Sequence, residues 1–197
     1  MSAILDCALD RWDPVIGDPT VTGWLTVVIY ALVASLAARL AWRAPFPASS
    51  RTRERAFWIL LVLCFAALAV NKQLDLQSFL TAIGRCAAKL QGWYSSRRAV
   101  QMLFLAAIAF GGVLGLLLLL RLFRGTWRRT GLPILGLCMV LSFVLMRAVG
   151  FHHLDRFLGV PVLSLRANFV MEVSGALLVG LAALLQLLRG QRGGRPG

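Results

Sequence analysis

The chain is 197 residues long, 59% of them hydrophobic, with a mean hydropathy of +0.77. A soluble core of that size does not absorb so much apolar surface, so lipid must solvate the surplus. The formal charge of +13, from 21 Lys+Arg against 8 Asp+Glu, would point to nucleic acid in a soluble chain. Here twelve arginines crowd short segments between or after hydrophobic runs, which the positive-inside bias explains with no nucleic acid involved.

The first twenty residues carry Asp6, Asp10, Asp13 and Asp18. A cleavable signal peptide starts basic, so the first hydrophobic run, Val21–Trp42, is expected to stay as a membrane span. A second run, Ala56–Asn71, is the shortest and recruits part of its flanks. After it Leu76, Phe79, Leu80, Ile83, Ala87 and Leu90 recur at helical spacing, with Ser78, Thr81, Arg85 and Lys89 on the opposite face. That pattern predicts an amphipathic helix over about 76–91, lying on the membrane surface. Three more apolar runs follow at Gln101–Phe123, Leu132–Gly150 and Asn168–Leu188. All five approach or reach the roughly 17 to 25 residues that cross about 30 Å of hydrocarbon. Between the last two, Phe151–Arg166 holds both histidines and Pro161, so a short helix and a turn are expected there. Residues 191–197 read as a basic disordered tail on a single membrane domain of residues 1–190.

The expected fold is all-α: a polytopic membrane helix bundle of five transmembrane helices plus an extracytoplasmic amphipathic interfacial helix. Orientation follows from charge. Arg39, Arg43, Arg51, Arg53 and Arg55 flank the first loop, Arg121, Arg124, Arg128 and Arg129 the third, and Arg189, Arg192 and Arg195 the tail, so these belong in the cytoplasm. The other segments hold seven of the eight acids and belong outside, with the N-terminus. Compactness and high Arg content suggest a bacterial inner membrane. Trp12, Trp24, Trp42, Trp58, Trp93, Tyr94 and Trp127 fall near span ends, as interfacial aromatics should.

Cys7, Cys64, Cys86 and Cys138 show no CxxC or zinc spacing. Cys64 and Cys138 read as apolar core residues. Cys7 and Cys86 both fall outside, where oxidation is permitted; unpaired thiols are the expectation and a bridge the alternative.

Polar side chains gather at the outside boundary, so any polar site opens outward. Asn71, Lys72, Arg97, Arg98 and Gln101 are the candidate substrate-binding residues, the two arginines suiting bidentate contact with phosphate or carboxylate. His152, His153, Asp75 and Asp155 are the candidate catalytic acid/base groups. His152 and Asp155, three apart, share a helix face more readily than adjacent histidines do. Whether they hold a metal is open, because no HExxH-type spacing occurs. Asp75 alternatively caps the surface helix through its carboxylate, and headgroup contact alone would account for Arg97 and Arg98. Arg147 and Glu172, at similar depth in the fourth and fifth spans, are expected to form a structural ion pair.

Gly111 and Gly115 form a GxxxG face for a partner helix, within the chain, in a homo-oligomer or on another membrane protein. Membrane lipids are the expected partners. Any cofactor is unknown from the sequence, but without GxxxxGK[ST] or a GxGxxG after a strand it offers no nucleotide site. The reading that gathers these features is an integral membrane protein whose outward-facing polar pocket binds or processes a lipid or amphiphile. The alternative is an accessory or assembly subunit of a larger membrane complex. Transport is disfavoured, since no two halves match.

Overall fold

The computed structural model describes residues 2–12, 16–44, 46–149, 161–162 and 165–193. Among these residues seven α-helices follow in chain order: α1 (Ser2–Leu9), α2 (Val21–Arg43), α3 (Arg51–Leu74), α4 (Leu76–Leu90), α5 (Arg97–Leu122), α6 (Trp127–Val149) and α7 (Ala167–Gly193). A 3₁₀ turn, Tyr94–Ser96, leads into α5, and a two-residue antiparallel ladder pairs Pro161–Val162 with Leu165–Arg166 ahead of α7. Helix α7 runs three residues into the segment expected to be tail, and residues 194–197 lie outside the described residues.

Four helices are long and apolar enough to cross a membrane: Val21–Arg43, Arg51–Leu74, Ala99–Leu122 and Phe169–Arg189. The remaining expected span, Leu132–Gly150, falls on α6, with Gly150 outside the described residues. Local chemistry sets the ends. The Thr20 hydroxyl accepts from Gly23 N–H at 3.1 Å and caps α2, and the sequence after α2 meets Pro45 and Pro47, which cannot continue a helix. Helices α3 and α4 meet directly at Asp75, whose backbone is left-handed (φ 45°, ψ 50°). Short polar residues such as Asp tolerate that geometry best after glycine.

Helix α2 packs between α3 and α7, and α6 packs on α7. Tyr30, Val33, Ala37 and Leu40 of α2 meet Phe57, Leu61 and Phe65 of α3 and Ala176, Val179 and Ala183 of α7 in one apolar cluster, which Leu137 and Val140 of α6 complete. Lipid offers no hydrophobic drive between helices, so close backbone approach must do the holding. It occurs where Gly136 of α6 crosses Gly175 of α7. A Cβ on Gly136 would sit 2.5 Å from the Gly175 carbonyl, and one on Gly175 would sit 2.6 Å from the Gly136 carbonyl.

One expectation changes here. Trp58 is fully buried rather than interfacial, because α3 begins at Arg51 and carries Trp58 two turns inward. A Cβ added at Gly111 or Gly115 would meet nothing within 4 Å, so among the described residues no neighbour approaches the GxxxG face closely. None of the stretch Ala99–Leu122 is buried among its described side chains; only Leu116, Leu119 and Leu120, near its Arg121 end, pack partly against the core.

The amphipathic pattern does form a helix, Leu76–Leu90, with Ser78, Thr81, Arg85 and Lys89 exposed. One of its faces is covered by α1. Cys7 and Cys86 form a disulfide there, with Cα atoms 6.1 Å apart, which overturns the expectation of unpaired thiols. Ala8, Ala82 and Cys86 are buried in the same contact, Trp12 packs on Phe79 at 4.7 Å between ring centres, and its indole N–H donates to the Leu74 carbonyl at 3.2 Å. Cys64 and Cys138 are free and half-buried against the core.

Candidate functional site

The end of the bundle where α1 and α4 sit is also where charge enters it. Lys72, in the last turn of α3, reaches two carboxylates from different parts of the chain. Its Nζ lies 3.2 Å from Asp18 Oδ2, in the segment before α2, and 3.0 Å from Glu172 Oε2, in the second turn of α7. The Tyr30 hydroxyl of α2 donates to Glu172 Oε1 at 3.3 Å. Lys72 and Glu172 side chains are only 10% and 8% exposed, so the pair is held out of solvent, at a desolvation cost that their mutual attraction and extra hydrogen bonds must offset. The N-terminal segment is fixed to receive Lys72: Gly17 N–H donates to the Gln73 carbonyl at 2.6 Å, and a Cβ at Gly17 would come 2.9 Å from that of Asp75.

Burial raises the Asp18 carboxyl, but hydrogen bonds from Thr20 and Lys72 and the Lys72 charge outweigh it, holding the group below its ordinary value. Thr20 Oγ1 donates to Asp18 Oδ1 at 2.5 Å.

These groups line a cavity of about 70 Å³ whose polar walls are Asp18, Tyr30, Asn71, Lys72, Asp75 and Glu172, with Leu68, Phe143 and Val144 as apolar walls. At roughly 30 Å³ per liquid water that is room for about two waters, or one ammonium-sized group. Three carboxylates against one ammonium leave the lining with two negative charges. An ammonium carries three N–H donors, and the two carboxylates occupy two of those on Lys72.

Of the sequence candidates, Asn71, Lys72, Asp75 and Glu172 converge on this cavity. Gln101 is exposed on α5 and is not part of the lining. Arg97 and Arg98 open α5, but their side chains lie outside the described residues, as does that of Arg147. Glu172 therefore has Lys72 as its ion-pair partner among the described residues. His152, His153 and Asp155 lie outside the described residues. Asp75 stands at the N-cap position of α4 but makes no side-chain cap bond; its backbone carbonyl accepts from Ser78 and Phe79 instead, and the residue is part of the cavity lining. Sequence reasoning missed Asp18 and Tyr30 as site residues. A tyrosine midway through an apolar run was the one available signal for Tyr30.

A second polar group closes the opposite end of the bundle. Glu54 of α3 is fully buried; its Oε1 accepts from Ser50 Oγ at 2.7 Å and pairs with Arg129 of α6 at 2.9 Å. Glu54 Oε2 and, one turn on, Trp58 Nε1 have no hydrogen-bond partner among the described residues. Pro133 removes the N–H that would have bonded the Arg129 carbonyl four residues earlier, and Gln186 Nε2 of α7 donates to that carbonyl at 2.7 Å in its place.

Among the described residues no group of three or more His, Cys, Asp or Glu side chains is placed to hold a metal ion. Comparison of the chain with protein-family models, curated proteins and solved structures finds no match.

Proposed function

We propose that this is an integral membrane protein of five spans whose acidic pocket opens outward and binds the amine-bearing end of an amphiphile. The observation that carries the reading is the Lys72 ammonium held between Asp18 and Glu172 in the wall of a small cavity with excess negative charge. The cavity admits an ammonium-sized group and no whole headgroup, so the remainder of the ligand lies outside it, where the bilayer solvates an acyl chain. Lys72 then sets the charge balance, and Tyr30 holds the Glu172 carboxylate in orientation. Arg97 and Arg98, one helix away in sequence, are the proposed contacts for a phosphate on the same ligand. If the ligand is also processed, Asp75 in the cavity wall and His152, His153 and Asp155 in the segment joining α6 to α7 are the acid/base candidates.

The orientation is part of the proposal. Extracytoplasmic compartments favour disulfides, and Cys7–Cys86 lies at the pocket end. The arginine-rich loops and the Arg129 end lie opposite, as cytoplasmic segments do. In this orientation α6 is the fourth of the five spans, α4 is the interfacial helix and the membrane is a bacterial inner membrane.

The test is thermal unfolding of the purified full-length protein in detergent with added short-chain phosphatidylethanolamine, phosphatidylcholine or phosphatidylglycerol. The ethanolamine lipid is expected to raise the wild-type melting temperature most, and Asp18→Asn or Asp75→Asn to abolish that rise. Equal stabilisation by phosphatidylglycerol, or a rise that survives both substitutions, would refute the reading.

One observation favours a second reading, that of an accessory subunit: α5 presents Gly111, Gly112 and Gly115 to open space and packs against the bundle only near one end. A stoichiometric membrane partner lost on Gly111→Leu would support it.

A further inference from the structure

At the end of the bundle opposite the acidic pocket, the turn from α5 to α6 forms a recess of about 490 Å³ lined by Arg124, Gly125, Thr126, Trp127, Arg128 and Arg129. The volume lies within the roughly 300–1,000 Å³ typical of small-molecule sites. Nothing in the outward-pocket reading uses it.

The recess is built on fixed supports. Phe123, just before the turn, is buried against Phe57 with ring centres 5.0 Å apart. Arg53 of α3 donates to the Leu122 carbonyl at 3.2 Å, satisfying the last turn of α5. Thr126 N–H bonds the Phe123 carbonyl at 2.9 Å, and Arg129 N–H bonds the Thr126 carbonyl at 2.8 Å. Buried Glu54 pins the Arg129 guanidinium. Arg124 and Arg128 are exposed and have no acidic partner among the described residues, so two uncompensated guanidinium groups face one recess. Two neighbouring cations repel each other, and an anion between them reverses the sign of that term. A guanidinium also matches phosphate bidentately.

The surroundings specify what kind of anion. Trp127 is 47% exposed beside the recess, where interfacial tryptophans sit. From the same turn Leu122 on α5 and Leu132 and Leu135 on α6 continue as exposed apolar side chains, and α5 stays largely unpacked above them. A phosphate held by arginines, an indole at its level and an apolar wall leading away match a phospholipid better than a free phosphate. Basic pockets between membrane helices bind anionic headgroups by this chemistry.

We propose that the α5–α6 turn is a binding site for one anionic phospholipid, with Arg124 and Arg128 holding the phosphodiester, Arg129 framing it and the acyl chains lying along α5 and α6. The site is independent of the acidic pocket and of its ligand.

Native mass spectrometry of the full-length protein, titrated with phosphatidylglycerol or phosphatidylcholine in detergent, tests it. The wild type is expected to retain one phosphatidylglycerol in preference to phosphatidylcholine. Arg124→Gln/Arg128→Gln should lower that preference about tenfold, since each arginine near a headgroup contributes on the order of a fewfold. Arg39→Gln/Arg43→Gln, which removes equal charge elsewhere, should keep it, and excess inorganic phosphate should not displace the lipid. Because both target side chains are exposed, the single variants Arg124→Gln and Arg128→Gln serve if the double variant misfolds, each with a smaller loss. A preference that survives in the variants, or falls equally in the control, would overturn the proposal in favour of diffuse charge. Displacement by inorganic phosphate would overturn the lipid and leave a free-anion site.

Discussion

Lys72 shows what a single buried charge commits a membrane protein to. Once its ammonium sits between Asp18 and Glu172, removing it leaves two carboxylates together without a counter-charge. Lys72→Met is therefore expected to destabilise the protein by about 3 kcal/mol or more, as breaking buried pairs does. Lys72→Met/Glu172→Gln should recover most of that loss, and thermal unfolding of the set measures the coupling. The Asp18 carboxyl adds a pH dependence. Its folded value is depressed, so its contribution is fully present above the ordinary carboxylate value of 3.8 and is lost as pH falls below that, through the folded value. Melting temperature should drop over that acid range in the wild type and less in Asp18→Asn. Asp75 combines a left-handed backbone with a wall carboxylate. Asp75→Gly should keep the α3–α4 turn while removing the charge, whereas Asp75→Ala adds about 1 kcal/mol or more of backbone strain; comparing the two separates ligand binding from folding.

At the level of elements, periodicity and charge were enough to locate every long helix, because lipid enforces apolar runs of fixed length. The site was less legible, and part of the reason lies in the two ends of α3. Arg51, Arg53, Glu54 and Arg55 made the first turn of α3 look like loop, so the second span was read as Ala56–Asn71. The helix in fact runs from Arg51 to Leu74. At its other end Lys72 was counted with the outer loop although it lies in the last turn of α3, and Trp58, two turns in from Arg51, was put at an interface. Partners such as Asp18 for Lys72, 54 positions away, or Cys7 for Cys86 are set by how helices cross, which no spacing rule encodes. The crossing glycines make the converse point. GxxxG at Gly111 is a visible motif without a close neighbour among the described residues, whereas Gly136 and Gly175 touch without belonging to one motif. Gly136→Ala or Gly175→Ala should cost about 1–3 kcal/mol through overpacking, while Gly111→Ala should leave the monomer's stability unchanged. Likewise Gln186→Leu strips the Arg129 carbonyl of the donor that replaces the N–H missing at Pro133, an expected loss of about 1 kcal/mol.

For the whole molecule, the two ends carry opposite electrostatics. One gathers Asp18, Asp75 and Glu172 around Lys72 beside a disulfide-linked pair of short helices. The other gathers arginines around a single buried acid, Glu54. An apolar section of Leu61, Phe65, Val140 and Val179 lies between them. The central claim is that the acidic end faces outside and the arginine end the cytoplasm. It is tested most directly by labelling thiols of the full-length protein with a membrane-impermeant maleimide on intact cells, before and after an impermeant reductant. The account predicts that Cys7 and Cys86 label only after reduction and without permeabilisation, while a cysteine introduced as Gly125→Cys labels only once the membrane is opened. Labelling of Gly125→Cys in intact cells, with Cys7 and Cys86 protected until permeabilisation, would contradict it.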